Sequence, residues 1–308
     1  MQMPYDQHQP LRRKNTVRSN DALRSNYPLS GSDSVRGNDP LSRSDTLRVR
    51  SFGQDQLDLE VDFQRLSGPA LVTEILACCA EGIERERLWD LEIGQRLAAL
   101  IRTAVGSDQS GLDLLLKCQN PDCGQNMEVN LALEDLAEIE RQAATVNLQV
   151  GGRPNPIDGG WGEDFRLSLR RPTGCDQLAW QAAAAAGHSP SIEEIVRGLV
   201  IDPPGMSHKR PIPGEILRIC EEKLDAADPL VNFVFSVNCP YCRAIYNIPV
   251  DLQAAALGLL RLTQARLLRV IHTLAGHYHW TESEILGLPE WRRGRYLALV
   301  EEEQEAKR

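Results

Sequence analysis

Two short cysteine pairs, Cys118-x4-Cys123 and Cys239-x2-Cys242, carry the clearest chemistry in this 308-residue chain. Thiolates are soft ligands. A tight turn with a cysteine at each end offers two of them from one stretch of backbone, so two such turns supply the four that a tetrahedral Zn²⁺ site takes. Each pair is followed by apolar side chains at the same offsets: Met127, Val129, Leu131 and Leu133 after Cys123, and Tyr246, Ile248, Val250 and Leu252 after Cys242. Matching offsets predict two strands in matching register, and hence the two halves of one split zinc ribbon. A closed four-sulfur site leaves no position for water or substrate, so it points to a folding role rather than to catalysis. Two metal-free turns with reduced thiols, or a disulfide between them, are the competing readings.

The remaining titratable and aromatic groups divide less cleanly. Cys78 and Cys79 sit in the apolar run Leu71–Ala80, and Cys220 lies on the inner face of an expected helix, where free cysteine behaves as a small hydrophobe. Cys175 falls near an expected helix start, a setting that lowers thiol pKa values. His272, His277 and His279, with Glu282 and Glu284 nearby, could in principle hold a metal, but no H-E-x-x-H pattern is present. Their place at a helix end favours packing or interface work, since an imidazolium suits the negative end of the helix dipole. Trp280, Trp291, Arg292, Arg295 and Tyr296 are candidate partner-interface residues, because interface hot spots favour Trp, Tyr and Arg. The core of a small helical bundle with a solvated basic face explains the same residues equally well. The glycine-rich stretch 151–162 lacks a phosphate-loop lysine, the basic triplet His208, Lys209 and Arg210 reads as solvated, and no Ser-His-Asp arrangement stands out.

Charge is distributed unevenly. Residues 1–50 carry nine Lys/Arg against five Asp, whereas the whole chain has a net charge of −9. An acidic body is a poor nucleic-acid binder, because phosphate contacts need clustered cations. No 18-residue apolar run and no apolar leader of signal-peptide type is found, which predicts a soluble, cytoplasmic protein with reduced thiols and no membrane span.

The elements that must position the cysteines follow from period and capping signals. Residues 1–55 repeat Arg-Ser-Asn-Asp-like pieces without apolar period, so a disordered low-complexity arm is expected, either a tether or anionic-surface anchor or simply a solvated tail. The folded part is expected to start near Leu57, as a helical and zinc-ribbon domain over 56–250. Helices are predicted over Gly68–Ala80, Asp90–Val105 and Leu133–Ala143, with strands at Asp113–Lys117 and Leu230–Val237. Between the two ribbon halves an inserted strand-and-helix segment spans about 145–229, with strands at Val146–Val150 and Phe165–Leu169. Capping-box spacing at Thr173/Asp176, Ser191/Glu194 and Thr281/Glu284 predicts three helix starts. The alanine run Ala182–Ala186 is expected to pack closely against a neighbour. A C-terminal helical module occupies 251–308, with Leu260, Leu267, Ile271 and Leu274 on its buried face.

Several of these features together resemble the baseplate hub assembly chaperones of T-even-type phages and their relatives in phage-tail-like contractile injection systems. The matching pieces are the turn Arg171-Pro172-Thr173-Gly174-Cys175-Asp176, the two cysteine knuckles that lead into strands, and the tail from His277 to Trp280 through Pro289 to Tyr296. The resemblance covers roughly Leu57–Arg308 and leaves out the arm. It implies a non-enzymatic assembly chaperone whose partners are baseplate or tail-hub proteins, with no small-molecule substrate, no catalytic residue, and Cys118, Cys123, Cys239 and Cys242 as structural zinc ligands. The fold expected is α+β, a mostly helical body pinned by the split ribbon. A zinc-ribbon nucleic-acid-binding or transcription-associated protein is the alternative, and a hydrolase centred on the three histidines is a third, weaker one.

Overall fold

The structure, a computed structural model, describes residues 47–66, 68–106, 110–152, 165–202 and 211–306. It is a mixture of helices and three small antiparallel sheets. Helices α1 (Gly68–Cys79) and α2 (Ile93–Val105) lead into a hairpin of β1 (Gly111–Lys117) and β2 (Asn126–Ala132), followed directly by α3 (Leu133–Ala144). After an intervening segment the pattern returns: α6 (Gly214–Ala227), a hairpin of β6 (Val234–Asn238) and β7 (Ile245–Pro249), and then α7 (Leu252–Tyr278). Leu133 and Leu252, which stand at the same offset from the second cysteine of their pairs, are each the first residue of a helix. The expected equality of register therefore extends to the elements: helix, hairpin, helix in both halves. The helices exchange partners across the halves, α2 lying along α7 and α3 meeting α6.

Alternation explains which face of each hairpin is buried. Leu112 and Leu114 on β1 share a face with Leu131 and Val129, their cross-strand partners on β2. Phe235 and Ile248 pair likewise in the second hairpin. These side chains join the inner faces of α1, α2 and the start of α7 in one core, together with Cys118 and Cys239. Side chains at i and i+2 on a strand, and i, i+4 and i+8 on a helix, reach one side; Leu252, Ala256 and Leu260 do so on α7.

The segment between the halves forms its own small core. Strands β3 (Gln149–Gly152), β4 (Phe165–Leu169) and β5 (Val200–Asp202) lie in that order, covered by α5 (Ile192–Leu199) and α6, with Val150, Leu167, Val196, Leu199 and Cys220 buried. Helix α4 (Gly174–Ala185) packs beside α1 and α2. Its alanine run is largely exposed, contrary to the expected close packing: the alanines supply helix propensity, not buried area. The capping boxes at Thr173, Ser191 and Thr281 are all present.

Several boundaries differ from expectation: β3 runs Gln149–Gly152 rather than Val146–Val150, and β6 Val234–Asn238 rather than Leu230–Val237. Residues 1–46 of the expected arm lie outside the described residues, as do most of the loop 151–162 and the triplet His208–Arg210. Residues 47–55, however, belong to the folded body, which begins before Leu57. The Arg50 N–H donates to the Cys79 carbonyl at 2.9 Å, and Phe52 is buried edge-on to Phe63. The fully buried Asp58 carboxylate accepts both Arg50 guanidinium nitrogens at 2.7 and 2.8 Å and the backbone N–H groups of Gly53, Gln54 and Asp55. Asp251, where the expected C-terminal helical module begins, is the N-cap of α7. The first turns of α7 sit in the main core, and its last turns, at Leu267, Ile271 and Leu274, pack on α8 (Glu282–Leu286) and α9 (Glu290–Ala306).

Candidate metal centre

Each cysteine pair occupies the tip of its hairpin. β1 ends one residue before Cys118 and β6 one residue before Cys239, and each hairpin is closed by the same hydrogen bond: Cys118 N–H to the Gln125 carbonyl at 2.8 Å, Cys239 N–H to the Ala244 carbonyl at 2.9 Å. The residue after the second cysteine is left-handed in both turns, Gly124 at φ 56° and Arg243 at φ 62°. That conformation folds the chain back so that both sulfurs of a pair leave the turn on one side. Glycine accepts it without a Cβ penalty and arginine does not.

The two tips meet. Cys118 Sγ lies 3.7 Å from Cys242 Sγ and Cys123 Sγ lies 3.8 Å from Cys239 Sγ, the first cysteine of each pair facing the second of the other. All four sulfurs lie within 4.8 Å of one another. Four thiolates around a metal at the ~2.3 Å zinc–sulfur distance stand about 3.8 Å apart along a tetrahedron edge, so the donor set fits. A disulfide needs about 2.05 Å, and all eight cysteines are free thiols. Cys118 and Cys239 are buried, Cys123 and Cys242 partly so.

The electrostatics of the bare sulfurs favour a cation. The backbone N–H of Ala244, aided by Cys239, Cys118 and Asn120, draws the Cys242 thiol down to about 6. The backbone N–H of Gln125 favours the Cys123 thiolate, but burial and the other three sulfurs outweigh it and push that thiol up to about 12. Several thiolates so close cannot coexist without positive charge among them, and a divalent metal supplies it. The Tyr246 hydroxyl, 3.7 Å from Cys118 Sγ, and the Asn120 side chain beside Cys242 border the cluster. Four thiols at these spacings can supply all four positions of a tetrahedral ion, and such an ion would keep none open.

The other candidate residues are placed as follows. Cys79 and Cys220 are buried and Cys78 half-buried, with burial raising their thiols to about 12, 11 and 11 respectively. Cys175 is exposed in the first turn of α4. The three histidines do not converge: among the described residues the four cysteines alone gather as a metal-sized group. His279 caps α7 in a left-handed conformation at φ 57°, and His277 is 3.7 Å from Glu303. The five interface candidates divide into two sets. Trp280 and Tyr296 face inward, Trp280 stacked on Tyr278 at 4.6 Å between centroids and edge-on to Tyr296 at 5.0 Å. Trp291, at 75% exposure, and Arg292 and Arg295 face outward.

A second junction lies at the turn 171–176, a stretch that sequence motifs mark but whose contacts no spacing reveals. Arg171 is 5% exposed and ties its turn to the ends of α3 and α6 and to the start of α2. It donates to the Ala227 carbonyl at the end of α6 and to the Ala143 carbonyl near the end of α3 at 2.6 Å, with Asp228 at 3.4 Å and Glu92 at 3.6 Å. Helix C-termini leave carbonyls without intrahelical donors, and a guanidinium answers two of them at once. Nearby, Gly174 sits so close to buried Arg96 that a Cβ there would stand 2.7 Å from Arg96 Nη1. Arg96 donates to the Leu88 carbonyl at 2.5 Å, the Pro69 carbonyl at 2.9 Å and Thr73 Oγ1 at 2.7 Å, and burial lowers its pKa to about 10. Arg171 and Gly174 are thus positional requirements of the same short turn. Its Thr-x-x-Asp capping box marks the turn in sequence but not these contacts.

No family model matches this chain, and neither the curated proteins nor the solved structures contain a match to it. Among the described residues no helix is long and apolar enough to cross a membrane.

Proposed function

We propose that this chain is a non-enzymatic assembly chaperone or adaptor for the baseplate or tail hub of a contractile, phage-tail-like particle, braced by one structural zinc ion. The observation that carries the non-enzymatic part is the closed four-sulfur cluster where two hairpins meet, its facing cysteines 116 and 124 residues apart in sequence. Zinc is the metal of choice for four thiolates in a tetrahedron, and such sites stabilise folds rather than activate water. The particle assignment rests on the resemblance of the 171–176 turn, the knuckles and the tail from His277 to Tyr296 to the baseplate hub chaperones. Trp291, Arg292 and Arg295 are outward residues of that tail and serve as its partner contacts, with Trp280 and Tyr296 fixing the shape beneath them.

The test is a tagged pull-down from the native host, with bound proteins identified by mass spectrometry. Recovery of baseplate, hub or tail-tube proteins, lost on Trp291→Ala with Arg295→Glu, is the expected result. Recovery of nucleic acid with transcription proteins would overturn the assembly reading in favour of a nucleic-acid binder.

A further inference from the structure

Helix α7 has an outward face that the preceding account leaves without work. No Asp or Glu occurs between Asp251 and Glu282, in a chain of 43 acidic residues, yet the same stretch carries Arg261, Arg266, Arg269, His272 and His277. Gly258, Leu262, Ala265, Arg269, His272 and Gly276 are all exposed and recur at steps of four, three, four, three and four, the spacing of a helix–helix seam. Arg266 flanks that seam on one side and Leu268 on the other, Leu262 and Leu268 being 65% and 48% exposed. Among the described residues no carboxylate pairs with Arg266 or Arg269, although several other surface arginines have one, such as Arg170 with Asp176 and Arg218 with Glu222.

The two glycines sharpen the point. Among the described residues a Cβ at Gly258 or Gly276 would meet nothing within 4 Å, so neither glycine is required by their packing. Glycine inside a helix is less stable than alanine, and among the described residues nothing offsets that cost here. Small residues along a seam let a second backbone come close.

We infer that the outward face of α7 is the docking groove for a helix of an acidic partner protein, apolar along its seam and lined by carboxylates on its flanks. Charge complementarity selects this occupant. A second copy meeting the same face across a two-fold axis would bring Arg269 against Arg269, so self-association there is disfavoured. A nucleic-acid backbone would strand the two exposed leucines, and its long polyanion would run onto an acidic body. This α7 face shares no residue with the Trp291, Arg292 and Arg295 set on α9, so its test does not depend on the particle assignment.

The full chain tests it against a fluorescein-labelled helical peptide with leucine and alanine on a four-three seam and glutamate on both flanks. Its lysine-flanked counterpart, a short DNA duplex and anionic phosphatidylglycerol vesicles are the comparison probes. Binding of the glutamate peptide, with Arg266→Glu and Arg269→Glu each weakening it about tenfold or more, is expected. A benzophenone side chain placed at Ala265 should cross-link this peptide, and one placed at Glu222 should not. If Arg269→Glu melts lower than the parent, Arg269→Gln replaces it. Tighter binding of DNA or vesicles, equal binding of the lysine peptide, indifference to the arginine changes, or no binding at all would each overturn the inference.

Discussion

The two hairpins do the same job with different materials. The first turn spans four residues between its cysteines and uses Gly124 for the left-handed step; the second spans two and uses Arg243. Both close with a hydrogen bond from the first cysteine and both project their sulfurs to one point. The comparison teaches that the geometry required is that of the sulfurs, and that turn length and residue type vary as long as it is kept. The halves also differ in what they lack: neither hairpin alone supplies four ligands, and a two-stranded hairpin alone is marginal in water.

The strongest way to break the equivalence is to remove one sulfur from each half. Cys123→Ser and Cys239→Ser should be equally damaging, giving insoluble or molten protein, because structural zinc couples about 10 kcal/mol or more of binding to folding. Near-UV circular dichroism and thermal melting measure this. Normal melting of either variant would show that the halves hold without the cluster.

Next in size is Arg171→Met, which removes the cation shared by the carbonyls ending α3 and α6. Breaking a buried charged junction of this type costs about 3–5 kcal/mol, and the variant should still retain its metal. Denaturant unfolding with parallel metal analysis would separate the two junctions: loss of metal together with stability would mean that they are one.

The turns themselves can be exchanged in kind. Gly124→Ala should destabilise by about 1 kcal/mol, since a Cβ is disfavoured at that φ, while Arg243→Gly should stabilise by about 0.5–1 kcal/mol. Effects of the same sign in chemical denaturation would refute the turn equivalence.

The smallest difference concerns the helices after the hairpins. On α3, burial raises the Glu140 carboxyl above its ordinary 4.5, with Arg102 opposing the rise. A raised carboxyl favours the fold in its protonated form, so its contribution is full below 4.5 and is lost as pH rises through the folded value. Glu140→Gln, which mimics that protonated form, should therefore gain stability relative to the parent as pH rises above 4.5. Melting temperatures across that range check the sign.

Much of the four-cysteine cluster was legible in sequence because its determinants are local. A cysteine pair and the alternation after it lie within a dozen residues, and the matching offsets predicted a common register that the two hairpins display. Capping boxes were legible for the same reason. The Arg171 junction was not, because its acceptors are main-chain carbonyls 28 and 56 residues away, and carbonyls carry no sequence signal. The packed segment 47–55 was missed because its order comes from Asp58, whose partners are backbone N–H groups and one arginine within a stretch that has no apolar period. Strand β5, three residues long, is too short to show alternation.

The most direct test of the central claim is metal content measured on the intact, natively purified chain, alongside the count of thiols open to a mild alkylating reagent. The account predicts one zinc per chain, with Cys118, Cys123, Cys239 and Cys242 protected until a chelator removes the metal and the protein unfolds. A fully folded chain without metal, whose four cluster thiols react freely, would contradict it.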